Sequence, residues 1–220
     1  EKWRSKTTRF VAKLKEKQEY IKDLKKRDKN PKDYRTKPPL NIKGDSVAII
    51  ALAKRLDLVQ AYNQEEELLE ISDELYTELF GKEYIELADI KLQLAECLKK
   101  EDQIEEITEK QLYQKVVEIH KRNLELEDLK PEESAEYVWA VLKLGQWQRD
   151  RSVFSEAGKN LLKAISLAEK SSSISQEELM EFYNSYADYL RQTGKDSEAE
   201  KYQEKARGLK IKRNNPVGNE

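Results

Sequence analysis

YNSYADYLRQTGKDSEAEKYQEKA, residues 183–206, reads as two helical stretches joined at a glycine. Ala199 and Ala206 are seven residues apart, about two helical turns, so both fall on one face of the second stretch. The same layout stands 42 residues upstream: Gly145 matches Ala187, Ala157 matches Ala199, and Ala164 matches Ala206. Leu144 and Tyr186 match as the larger neighbours of the small residues. Small residues at matched places let paired helices approach closely, which a stack of helical hairpins requires. A period of this length holds two helices of about 15 residues and two turns.

Working outward, the chain stays helical nearly throughout. Glu133 to Asp150 and about Ser155 to Lys170 form the pair before the quoted one. The polar loop at 171–178 carries a cap at Ser175, and Glu177 to Gln192 and Ser197 to Leu209 complete the helices. Upstream, Asp45 or Ser46 caps a helix rich in Val47, Ile49, Ile50, Leu52, Leu56, Leu58 and Val59, with a break near Asn63. The next helix runs to a C-cap at Gly81. Glu83 to Lys100 follows, then a polar turn at 100–103 and, from Ile104 to Leu129, one long helix or a short one plus a long one, with Pro131 stopping or starting a helix. Residues 3–27 carry a thin apolar stripe of Phe10, Leu14, Ile21 and Leu24, which predicts a helix solvated over most of its surface. Pro31, Pro38 and Pro39 punctuate residues 28–41 as a linker. The expected division is a basic helix and linker over 1–44, a helical repeat domain over 45–209 and a disordered tail over 210–220.

Composition narrows the function. The chain has 220 residues, is 38% charged, and contains one Cys and one His. Cys97 alone excludes an intramolecular disulfide framework. His120 alone excludes a His-based metal site and most His-centred acid–base chemistry. Cys97 reads as a small core residue and His120 as a structural or solvated one. Carboxylate pairs such as Glu105–Glu106 are unavoidable among 43 acidic residues and identify no site. Gly-rich phosphate loops and metal-ligand spacings are absent from the sequence. The reading is therefore not an enzyme, with no cofactor and no metal. No apolar run reaches the roughly 18 residues of a membrane span.

Charge is uneven. Residues 1–43 hold 16 Lys/Arg against 6 Asp/Glu, and the remainder holds 25 against 37. The basic segment suits an anionic membrane face, a partner protein or plain solvation. Nucleic acid is not expected, because the spacing of aromatics there such as Phe10, Tyr20 and Tyr34 fits no RNA module. The chain begins at Glu1 rather than Met. A cytoplasmic location is expected, with membrane association the alternative if an anchor precedes Glu1.

Residues 183–206 resemble a tetratricopeptide (TPR) motif. Tyr183, Tyr186, Ala187 and Leu190 match its first helix, Gly194 its turn, and Ala199, Tyr202 and Ala206 its second helix. Leu144–Gly145, Ala157, Leu161 and Ala164 match an adjacent copy whose turn, QRDRSVFS, lacks the usual glycine. Residues 68–98 are similar to the junction between repeats in kinesin-light-chain-like arrays, with Leu94, Ala95 and Leu98 at first-helix positions. The helix after it departs from the pattern with Val116, His120 and Asn123, and residues 46–80 fit loosely. The resemblance implies an all-α fold, a right-handed stack of antiparallel helix pairs (an α-solenoid).

The resemblance also implies a function: a noncatalytic scaffold or adaptor that binds a peptide or helix of a partner protein along the inner face of its first helices. In the last copy the inward positions are Glu181, Asn184, Asp188, Arg191 and Gln192. In the preceding copy they are Trp139, Leu142, Gln146, Arg149 and Asp150, and upstream Asp89, Leu92, Glu96, Lys99 and Lys100. Asn184 and Gln192 suit a peptide backbone, Arg149 and Arg191 suit carboxylates, and Trp139 and Leu142 suit an apolar anchor. The rival reading is a structural or self-association module, a homo-oligomer built through apolar faces, held at a membrane surface by the basic segment.

Overall fold

The computed structural model describes residues 2–27, 45–100 and 106–214, and side chains within 8–21, 46–100 and 108–209. The expected linker at 28–41, the turn at 101–103, the tail beyond 214 and the side chains of Trp3 and Leu24 lie outside the described residues. Every regular element among the described residues is helical: α1 (Lys2–Arg27), α2 (Asp45–Leu58), α3 (Tyr62–Phe80), α4 (Glu86–Lys100), α5 (Glu106–Glu127), α6 (Ala135–Asp150), α7 (Phe154–Ala168), α8 (Gln176–Gln192) and α9 (Asp196–Asn214), with a 3-10 turn at Pro131–Glu133. The architecture is the expected all-α repeat of stacked antiparallel helix pairs. The helix α9 passes the expected end at Leu209, so the first five residues of the expected tail are helical.

Two compact units divide the chain, Glu1–Ile119 and His120–Glu220, with the border inside α5. In the second unit α6 packs on α7, α7 on α8, and α8 on α9. The small residues sit where the period requires them. Gly145, Ala157, Ala164, Ala187, Ala199 and Ala206 are all buried. A Cβ on Gly145 would lie 2.9 Å from Leu161 Cγ and 3.1 Å from the Leu161 backbone nitrogen, so α6 and α7 approach only because that Cβ is missing.

The turns repeat as well. In the α8–α9 turn the N–H groups of Gly194 and Lys195 donate to the carbonyls of Arg191 (3.0 Å) and Leu190 (2.8 Å), with Gly194 at φ +74°. In the α6–α7 turn those of Ser152 and Val153 donate to Arg149 (3.0 Å) and Gln148 (2.8 Å), with Ser152 at φ +58°. This is a Schellman closure, and it calls for a left-handed residue at its second-last position. The copy that lacks glycine therefore keeps the turn and places a serine in the strained region.

In the first unit α2 packs on α3, α3 on α4, and α2 on α4. The α2–α3 turn is the same closure: Ala61 N–H donates to Leu56 C=O (2.9 Å), Gln60 N–H to Asp57 C=O (2.9 Å), and Gln60 stands at φ +54°. Ala53 lies seven residues before Gln60, as Gly145 does before Ser152 and Ala187 before Gly194. Ala95 of α4 lies 42 residues after Ala53, and both are fully buried. The loosely fitting first pair is thus a repeat in geometry. Its second helix hides this, because fully buried Glu65 and Ser72 occupy the positions of Ala157 and Ala164.

Helix α1 packs on α3. Val11, Leu14, Gln18 and Ile21 are buried at spacings of 3, 4 and 3, a wider stripe than Phe10, Leu14 and Ile21 alone suggested. Lys15 Nζ reaches Glu67 Oε1 at 2.6 Å and Gln18 Nε2 donates to Glu74 Oε2 at 2.6 Å. Among its described side chains the exposed charges are mixed, Arg9, Lys13 and Lys15 with Glu16 and Glu19, while the buried stripe covers α3.

Candidate interaction face

Helix α8 starts at a complete capping box. Glu178 N–H donates to Ser175 Oγ (3.2 Å) and Ser175 N–H donates to Glu178 Oε2 (2.8 Å). The Ser175 N–H and then its hydroxyl hold the Glu178 carboxylate below its ordinary pKa against the opposing effect of burial, with a smaller contribution from the indole of Trp139. From there Phe182, Tyr183, Ser185, Tyr186, Ala187 and Leu190 turn inward. Glu177, Glu181, Asn184, Asp188 and Arg191 remain exposed at spacings of 4, 3, 4 and 3, a single stripe left uncovered by α6, α7 and α9. Four of the five expected inward residues of α8 lie on it, and Gln192 is exposed beside its end.

The inner side of α8 is fixed by aromatic packing. Tyr183 and Tyr186 meet Tyr202 of α9 at ring distances of 6.1 and 4.7 Å. Burial pushes both hydroxyls up to about 12, helped in Tyr183 by the Glu169 carboxylate that accepts its hydrogen bond at 2.8 Å.

Helix α6 lies beside this stripe. Trp139 is half-buried: its Nε1–H donates to Glu178 Oε1 at 3.2 Å and its ring meets Phe182 edge-on at 5.0 Å. Gln146 Nε2 donates to Ser185 Oγ at 2.7 Å. Both bonds join residues 39 apart, and their ends step by seven on each helix, so one α6–α8 contact repeats after two turns. Glu178 and Ser185 were not anticipated, although this shared step of seven is visible in the sequence once Trp139 and Gln146 are fixed.

Two expectations change here. Leu142 is fully buried, so the apolar anchor expected from it is corrected: it is a core residue without surface to offer. Its register partner in α8 is Asn184, which is exposed. Arg149 is largely buried and already engaged. Asp150 Oδ1 accepts from its Nε (3.0 Å) and Nη2 (2.8 Å), and its Nη1 donates to the Ser185 carbonyl at 3.3 Å. Arg191 pairs with Asp188 at 3.1 Å, with both side chains about half exposed. Arg149 is thus closed to a further carboxylate, whereas Arg191 stays half exposed with its bond to Asp188.

In the first unit the expected positions fall on α4. Asp89 is exposed, Leu92, Glu96 and Lys99 are half-buried, and exposed Lys100 pairs with Asp57. Asp89 closes one side of a groove of about 350 Å³ whose other lining comes from α2: Ser46, Val47, Ile50, Ala51 and Lys54. Cys97 is buried as expected, its thiol directed at the Tyr62 carbonyl (3.7 Å), and His120 is buried. Among the described residues no group of three or more His, Cys, Asp or Glu side chains converges to hold a metal, and no helix is long and apolar enough to cross a membrane.

Neither a family model nor a curated protein matches the chain. Solved structures do. The chain is similar to BtubC (BKLC) from P. vanneervenii, with a TM-score of 0.68 at 18% identity over 80% of this chain and 66% of that one, so it spans just under two-thirds of that length. It is similar to the TPR-like repeats of a Podosopora anserina chain described as a kinesin light chain, with a TM-score of 0.62 at 15% identity over 96% of this chain and 94% of that one. A variant of the same repeats gives 0.65 at 15% identity, over 97% and 95%. At these identities the likeness concerns the fold, a TPR-like helical repeat of the kinesin-light-chain kind covering most of the chain.

Proposed function

We propose that the protein is a noncatalytic scaffold that holds a peptide or helix of a partner protein against the open face of α6 and α8. The observation that carries this reading is the stripe Glu177, Glu181, Asn184, Asp188 and Arg191. It is polar, mixed in charge and uncovered, while every other side of α8 is occupied by neighbouring helices. Half-buried Trp139 and Gln146 border it and offer contact area with little rotamer freedom left to lose, since each is already hydrogen-bonded to α8. Asn184 and Gln192 supply amide donors and acceptors for a backbone.

Site-specific crosslinking tests it. A photoreactive residue replacing Asn184 is expected to capture a partner segment in the native source, and one replacing Glu200, exposed on α9, is not. Capture at position 200 and none at 184 overturns the assignment.

The self-association reading is supported by a different observation. Val47, Leu58 and Val59 of the α2 region are 74%, 83% and 52% exposed, an apolar edge beside the α2–α4 groove. A sedimentation mass that rises with concentration and is abolished by Val47→Glu/Leu58→Glu would favour it. A constant monomer mass would dismiss it.

A further inference from the structure

One place in the repeat is polar in the second unit and apolar in the first. Ala53 and Ala187 share a register, so Val47, Ile50 and Lys54 of α2 hold the positions of Glu181, Asn184 and Asp188 in α8. Val47 is 74% exposed, Ala51 is exposed and Ile50 is half-buried, and with Asp89 they line the open α2–α4 groove of about 350 Å³. Water solvates the polar stripe of α8 well, whereas the apolar groove gains by being covered. The charges around the groove are unequal in what they have left to give. Asp57 is held by Lys100, and Arg55 and Asp89 already have partners. Exposed Lys54 makes no ion pair or hydrogen bond among the described residues. The occupant that fits carries aliphatic side chains beside an unpaired carboxylate.

The chain carries such a feature itself. Helix α5 ends with Leu126 and Glu127, and Asp128 and Leu129 follow; all four are exposed, the leucines at 73% and 42%. The backbone fixes this corner: Leu129 N–H donates to Leu124 C=O at 3.0 Å across Asp128 at φ +53°, the closure that also ends α2, α6 and α8. Glu125 pairs with Lys121 at 3.9 Å, while Glu127 and Asp128 have no partner among the described residues. Exposed Lys130 comes next and leaves the corner acidic on balance. We infer that the α5 corner of one copy seats in the α2–α4 groove of a second copy. Leu126 and Leu129 cover Val47, Ile50 and Ala51, and the Glu127 and Asp128 carboxylates meet the Lys54 ammonium. The contact rests on the self-association reading and makes it head-to-tail. Groove and corner both stand open in the single chain, so each copy offers one of each and the contact propagates into rings or open chains. A two-fold pairing of α2 faces would instead put both Lys54 side chains in one interface, with no unpaired carboxylate of the groove to meet them.

Sedimentation of the whole chain over about 10 μM to 1 mM, with two single variants, tests this. Val47→Glu spoils the groove and keeps the corner, and Leu126→Glu spoils the corner and keeps the groove. Both positions are exposed, so the fold survives, as circular dichroism should show. The wild type should gain mass with concentration, and each variant alone should stay a monomer. An equimolar mixture of the two variants should form a species of two chains and stop there, because one intact groove meets one intact corner. Lys54→Glu should weaken wild-type association about 5-fold or more, and adding Glu127→Lys/Asp128→Lys to the same chain should restore it. A constant monomer mass for the wild type would remove both this contact and the self-association reading. Association that survives either single variant would overturn the head-to-tail contact. If it survives Leu126→Glu and is lost in Val47→Glu, the α2 face pairs with itself and the self-association reading stands. Monomeric variants whose mixture stays monomeric would overturn the contact too, as would a loss in Lys54→Glu that the charge exchange does not restore.

Discussion

The two units solve the same packing problem with different residues. In the second, the crossing of each helix pair is made by glycine and alanine: Gly145 against Leu161 in one hairpin, and Ala187, Ala199 and Ala206 in the next. In the first, Ala53 and Ala95 hold the matching places on the first helices, while α3 buries Glu65 and Ser72 where α7 has Ala157 and Ala164. Ser72 stays satisfied by donating to the Leu68 carbonyl at 2.6 Å. Glu65 accepts from Gln93 at 2.9 Å through one oxygen, and its other oxygen has no partner. The α2–α3, α6–α7 and α8–α9 turns, by contrast, share one closure. The difference teaches that turn geometry and the small residue of the first helix define this repeat, and that the second helix tolerates polar substitution at a cost in stability. The open surfaces differ as well: the face of α2 is apolar at Val47, Ala51 and Leu58, and that of α8 is charged.

The largest expected effect would break the second unit at its crossing. Gly145→Ala places a methyl group 3.1 Å from the backbone nitrogen of Leu161, which has no rotamer by which to retreat. Overpacking of this kind costs about 1–3 kcal/mol, and the gain in helix propensity returns less than about 1 kcal/mol of it. Urea unfolding followed by far-UV circular dichroism should show a lower midpoint for the second unit. An unchanged midpoint would show that α6 and α7 can move apart freely.

The first unit should break differently, through pH. Burial, and to a lesser extent Asp57, push the Glu65 carboxyl above its ordinary value of 4.5 against the hydrogen bond from Gln93. The folded chain therefore holds this proton more tightly than the unfolded one. The stability it confers is complete below about pH 4.5 and is lost as pH rises through the folded-state pKa. Glu65→Gln removes the charge and should stabilise the first unit above that range by about 1–2 kcal/mol, the usual cost of a buried unsatisfied group. Thermal melts at a series of pH values check both signs. Parallel curves for the wild type and the variant would show that Glu65 keeps its ordinary pKa.

Much of this was legible beforehand. The helix pairs α6 to α9 were placed to within two residues except at the end of α9, which runs five residues further, and Gly145, Ala157, Ala164 and their partners advertise close approach by their size. The Ser175 cap was visible too, and Ser175→Ala should cost about 1 kcal/mol, read as a lower melting temperature for the second unit. In α3 the same reading failed, because a glutamate at a crossing looks like a surface residue until its burial is known. The positions expected on α8 came from the TPR resemblance, and the structure leaves Glu181, Asn184, Asp188, Arg191 and Gln192 exposed. Spacing does not say whether a side chain on that face is already used, so Arg149 looked available when Asp150 and Ser185 hold it. Leu142, whose apolar character agreed with both core and anchor, proved to be core.

The smallest effect sharpens the comparison most. Gln60 and Ser152 occupy the same left-handed position, one in each unit, where the α8–α9 turn has Gly194. A non-glycine residue there costs about 1–2 kcal/mol in the folded state, and glycine returns part of that gain by loosening the unfolded chain. Ser152→Gly and Gln60→Gly should therefore each stabilise their own unit by about 0.5 kcal/mol. Their hydrogen-bond frames agree to within 0.1 Å: 3.0 and 2.8 Å around Ser152, 2.9 and 2.9 Å around Gln60. Equal gains in denaturant midpoint would mean that the closure is an independent part, indifferent to whether the helices it joins cross at alanine or at glutamate. A gain at Ser152 without one at Gln60 would mean that the turn in the first unit is set by the packing around Glu65 rather than by its own backbone, and the equivalence of the two units would then hold in geometry but not in energy.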